Sequence, residues 1–167
     1  MPLDTSLIKA NYSTEKDNIL DNFYLPVLKN ATRYDRAVGY FSTEALLWIL
    51  QGLDGLIKND GTMRLVVGSR LDDDEYDAIK NNGPNSLEAQ EKIYNDFISK
   101  WNELIKSKDM FELKKYRLGV FSWLAKTNKL EIKFALRKKG MFHKKIGVVE
   151  GRDFTVVFNG SLNETEH

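Results

Sequence analysis

The sequence predicts an α/β domain built on a mixed β-sheet flanked by helices. Three observations carry this. An apolar strand, an amphipathic helix and a second apolar strand follow one another between Asp35 and Val67, the order of a βαβ unit, whose crossover is right-handed. A long run from Ser86 to Lys106 repeats its apolar residues at helical spacing. Short strand-like runs separated by glycine turns then close the chain, the last two reading as a hairpin.

A chain of 167 residues is one domain by length, spanning residues 1–167. A domain of this size hides roughly 68–70% of its unfolded surface, enough for a core without metal or disulfide. The composition, 42% hydrophobic and 11% aromatic, is that of a folded globular chain. With no cysteine, a disulfide framework, a thiolate zinc site and a cysteine nucleophile are all excluded. With two histidines, a metal site would need mainly carboxylates. The N-terminus lacks the basic-then-apolar order of a secretory signal, and no run approaches the roughly 18 apolar residues of a membrane span. The expected location is cytoplasmic, away from membranes.

Ser13 or Thr14 caps a first helix with Ile19, Leu20, Phe23, Tyr24, Val27 and Leu28 on its buried side and a kink or break near Pro26. A strand follows from Asp35 to Phe41, in which Gly39 marks a bulge or the close approach of another backbone. Ser42 caps the next helix, which buries Ala45, Leu46, Trp48, Ile49, Leu53 and Leu56 and ends at Asn59-Asp60-Gly61. Met63 to Val67 reads as a strand buried on both faces. The acidic run Asp72-Asp73-Asp74-Glu75 fits a helix N-terminus better than a metal site. Asn81 to Pro84 is a loop. The helix from Ser86 to Lys106 buries Leu87, Ile93, Tyr94, Phe97, Trp101, Leu104 and Ile105, and another from Leu113 to Ala125 ends before Thr127-Asn128. The closing strands run from Leu130 to Leu136, Phe142 to Val149 and Phe154 to Phe158, with turns at Gly140 and Gly151-Arg152.

Charge is unevenly distributed. Leu113 to Arg152 holds twelve Lys/Arg against two acids, a net +10, while the remainder holds thirteen against twenty-two, a net −9. This is either a face for a polyanion, with Lys138, Lys139, Lys144 and Arg152 as its nucleic-acid contacts, or a lysine-rich solvated surface.

The candidate chemistry lies between His143 and Asn163. On a strand, His143, Lys145, Gly147 and Val149 share one face. They would offer an imidazole, a cation for a phosphate oxygen, and space for the phosphate. Gly160 permits a sharp turn, and Ser161 and Asn163 supply a hydroxyl and an amide. That inventory suits phosphoryl transfer, in which positioning and charge stabilisation dominate. Taken singly, His143 is more often a structural residue and Gly160-Ser161 a plain turn.

The pattern His143-x-Lys145, then Glu150, then Gly160-Ser161-x-Asn163 resembles the signature of the phospholipase D superfamily. Val38-Gly39-Tyr40-Phe41-Ser42-x-x-Ala45-Leu46 and Arg64-Leu65-Val66-Val67-Gly68-Ser69 resemble a subgroup at the N-terminus of bacterial superfamily-2 and Snf-type DNA helicases and restriction-associated proteins. The resemblance implies a phospholipase D-like half-domain, with His143, Lys145, Ser161 and Asn163 catalytic and Glu150 and Gly160 supporting. It implies metal-independent, cofactor-free cleavage of a nucleic-acid phosphodiester, DNA by its helicase-like context, through a phosphohistidine. A second histidine protonates the leaving oxygen. This chain has one His-x-Lys, and its other histidine is His167, so the complete site calls for a two-fold homodimer. Glu150 stands where the family has Asp in an ion-pairing role. The family continues beyond Asn163 with a helix and often an acid that orients the histidine, so Glu164 or Glu166 substitutes or, as favoured here, the chain is the N-terminal part of a longer protein carrying helicase domains. The rival readings are a catalytically inactive module that binds a phosphate backbone and dimerises, and a lipid phosphodiesterase, against which the absence of an interfacial apolar stretch argues.

Overall fold

A computed structural model describes residues 3–13, 15–39, 52–69, 119–120, 122–136 and 142–160, together with Glu91, Asn95 and Ser99. Five strands form one mixed sheet: β1 (Ala31–Val38), β2 (Thr62–Ser69), β3 (Leu130–Leu136), β4 (Lys145–Gly151) and β5 (Thr155–Asn159). Their spatial order is β3-β2-β1-β4-β5. The first three are parallel; β4 pairs antiparallel with β1, and β5 antiparallel with β4. With helices packed on the sheet, the architecture is α/β.

Each parallel strand leaves the end of a helical segment. α1 (Leu25–Lys29) leads through Asn30 into β1. Residues 52–58 lead into β2, and the helical turns at 122–126 into β3. The last two end alike. Gly61 N–H bonds to Leu56 O and Asp60 N–H to Ile57 O; Lys129 N–H bonds to Leu124 O and Asn128 N–H to Ala125 O. These are Schellman pairs, with Asp60 (φ 55°) and Asn128 (φ 57°) at the left-handed position, which short polar side chains tolerate. Lys129 Nζ reaches Asp60 Oδ1 at 2.7 Å, and Asn59 Nδ2 reaches the carbonyls of Lys29 and Ala31. The N-terminal edge of the sheet is therefore tied together by its helix caps.

Val27, Leu28, Leu53, Leu56 and Leu124 pack into one cluster with Tyr34, Met63, Leu65 and Val149 from the sheet. Burying residues of this size contributes roughly 1.5–3 kcal/mol each. Glu91, Asn95 and Ser99 are helical and exposed, at positions the sequence leaves off the apolar stripe of the 86–106 helix.

Several sequence boundaries move. β1 starts at Ala31 rather than Asp35. Its charges do not interrupt it, because Arg33 and Asp35 pair with each other at 2.8 Å on the open face, where Arg64 also binds Asp35. For the same reason β2 is not buried on both faces: Met63, Leu65 and Val67 are buried, whereas Arg64 is exposed. The first helix does not start at Ser13 or Thr14. Ser13 closes a separate turn with Asp17, and helical backbone begins with a π-helical stretch, Leu20–Tyr24. Asn18 Oδ1 accepts from Asp21 N–H at its start. The π-helical stretch ends just before Pro26, which has no N–H to give, and α1 follows with Pro26 in its first turn. Trp48, Trp101, the Tyr40-Phe41 pair, the 72–75 acidic run, the 81–84 loop and the Gly140 turn lie outside the described residues.

Candidate functional site

In this topology the chain runs from β1 to β2 and β3 on one side, while β4 and β5 occupy the other. Open α/β sheets bind ligands outside the carboxyl ends of their parallel strands, where the order switches. His143 and Lys145 are at that place. Lys145 opens β4 opposite Val38, the last residue of β1.

Two glycines seat this segment. A Cβ on Gly39 would overlap the carbonyl oxygen of Phe142 and lie 3.1 Å from His143 Cα. One on Gly68 would overlap the carbonyl of Gly39 and lie 3.1 Å from Phe142 Cβ. Close backbone approach is thus what Gly39 provides. At the other flank, Gly160 N–H donates to Lys145 O at 3.2 Å, so the first residue of Gly160-Ser161-x-Asn163 abuts the His-x-Lys segment.

His143 and Lys144 are exposed, and Lys145 is half-buried. His143 precedes β4 rather than lying within it, so strand alternation orients Lys145, Gly147 and Val149 but not the imidazole. Gly147 does not leave room for a phosphate. The ring of Phe158, opposite it on β5, fills that space, held edge-on by Phe23 at 5.0 Å and Tyr24 at 5.6 Å.

Glu150 lies on the other face of the sheet and pairs with Arg33 at 3.5 Å. Five residues along β4, it is on the order of 16 Å from Lys145. Arg152 sits in the β4–β5 turn, closed by Gly151 N–H to Phe154 O, at the opposite edge of the sheet from Lys144. The structure therefore does not bring Arg152 and Lys144 into one patch. Lys138, Lys139, Ser161 and Asn163 lie outside the described residues.

Sequence reasoning missed Arg36. It is 3% exposed, on the Lys145 face of β1, with its guanidinium carbon 5.0 Å from the centroid of the Phe158 ring. Alternation counted from Tyr34 and Val38 would have placed it inward. Arg36 also lines a cavity of about 550 Å³ beneath residues 8–13 that extends to Gly160. On its rim Lys9 bonds Asp17 at 2.6 Å and holds that carboxyl below its ordinary range.

Among the described residues, no helix is long and apolar enough to cross a membrane, and no three His, Cys, Asp or Glu side chains cluster as metal ligands. Comparison with protein-family models, curated proteins and solved structures gave no match.

Proposed function

We propose that this chain is a phosphodiesterase domain of the phospholipase D type, acting on nucleic acid, in practice DNA, as half of a two-fold dimeric site. The observation that carries the reading is the seating of His143 and Lys145 by Gly39 and Gly68 at the carboxyl edge of the sheet, with Gly160 against Lys145. In the reaction an imidazole nitrogen of His143 bonds to phosphorus as the bond to the leaving oxygen breaks. His143 of the partner subunit protonates that oxygen. Water then displaces the imidazole from phosphorus, giving up its proton to the partner's His143. Lys145, with Ser161 and Asn163, holds non-bridging oxygens. The domain serves a longer cytoplasmic DNA-processing protein as the N-terminal module of a helicase.

The test is binding and cleavage of labelled DNA in EDTA across a salt series. Cleavage persists in chelator, and affinity falls roughly 40–150-fold between 50 and 200 mM salt, as for three or four phosphate contacts. Charge reversal at Lys138, Lys139 and Lys144 flattens the slope. Binding without turnover would leave the inactive binding module; cleavage restored only by magnesium, or affinity indifferent to salt, would overturn the reading.

A further inference from the structure

We propose that Arg36 holds the phosphate next to the scissile one, so that the substrate is a strand of successive phosphodiesters rather than a molecule with one. The inference rests on the phosphodiesterase reading above. Arg36 pairs across the sheet with Gly147, and Val38 with Lys145, so Arg36 and Lys145 are diagonal neighbours on one face. Such positions are about 7–8 Å apart. Burial and the Phe158 ring fix the guanidinium. That ring is itself fixed, because it occupies the space over Gly147. Beside that ring, at 5.0 Å from its centroid, the planar guanidinium carries an N–H fork that matches two oxygens of a phosphate.

The cavity gives this group a volume of its own. Its wall includes Arg36, Lys9, Asn11, Tyr12, Ser13 and Gly160, whereas His143 and Lys145 are not among its described lining residues. Gly160 joins the two places through its bond to the Lys145 carbonyl. A phosphodiester held at Lys145 therefore has its neighbour along a nucleic-acid strand at the mouth of the cavity. A phospholipid with a single phosphodiester has no such neighbour.

The experiment compares binding of the thymidine dinucleotide, with one phosphate, and the trinucleotide, with two, to the whole chain at low salt. The trinucleotide binds the unaltered protein about tenfold tighter. Arg36→Met, similar in length but uncharged, loses that increment and keeps dinucleotide affinity, while Arg36→Lys retains part of it. Lys145→Ala weakens both ligands alike. An increment that survives in Arg36→Met overturns the role of Arg36 and leaves the phosphodiesterase reading standing; failure of both ligands to bind the unaltered protein overturns both. Should Arg36→Met fail to fold, the Arg36 Nε–H resonance of the unaltered protein decides. A shift with the trinucleotide alone supports the role, and no shift or the same shift with both ligands overturns it.

Discussion

His143→Ala is expected to lower phosphodiester hydrolysis on the order of 10³-fold or more while leaving nucleic-acid affinity within about twofold. The chain has no cysteine, and Ser161 has no adjacent base in the sequence to activate it. His143 is exposed, so its removal changes stability by no more than about 0.5 kcal/mol, and lost activity cannot be ascribed to unfolding. Lys145→Ala behaves differently. It lowers affinity and turnover together, because the cation contacts phosphate in the ground state as well as the transition state. A cleavage time course run beside a binding titration checks both variants, with His143→Asn as the folded, inactive control. Equal loss of affinity and turnover in His143→Ala would make the imidazole a binding group.

The other large effect is on the seat. Gly39→Val puts a branched Cβ into the Phe142 carbonyl, a backbone atom that moves only if the segment leading into β4 moves with it. The cost is about 3 kcal/mol or more, as for severe overpacking. In a chain of this size that lowers the melting temperature by roughly 6–12 °C. Any folded fraction carries a displaced His143 and loses turnover beyond what the melting shift explains. Gly119 is the control: it lies in a helical turn with nothing within 4 Å of an added Cβ. Gly119→Ala raises stability by up to about 1 kcal/mol. Thermal melts of the two variants decide the matter, and a Gly39→Val protein as stable as its parent would remove the seating argument.

These residues also show what could be read ahead of the fold. The α/β class, the β3 boundaries, the hairpin and the helix end at Asn59-Asp60-Gly61 follow from local patterns, and local patterns are all that a single sequence displays. Gly39 was legible as a bulge or a close approach, though not which, nor what approaches it. Three features were hidden because their causes are distant in sequence. β1 accommodates its charges through Arg64 and Glu150 on other strands. Gly147 is bare because Phe158 needs the space, and that ring is also what Arg36, inward by simple alternation, meets there. The first helix was misplaced for a local reason, since Ser13 is a good cap but caps a lone turn.

The most direct measurement is chemical trapping on His143. Wild-type protein is mixed with a phosphodiester substrate in EDTA, quenched in base, and mapped by mass spectrometry. The account predicts an acid-labile phosphoryl adduct on His143 that is absent from His143→Ala and appears without added metal. Turnover with no adduct at His143, or with the label on another residue, would contradict it.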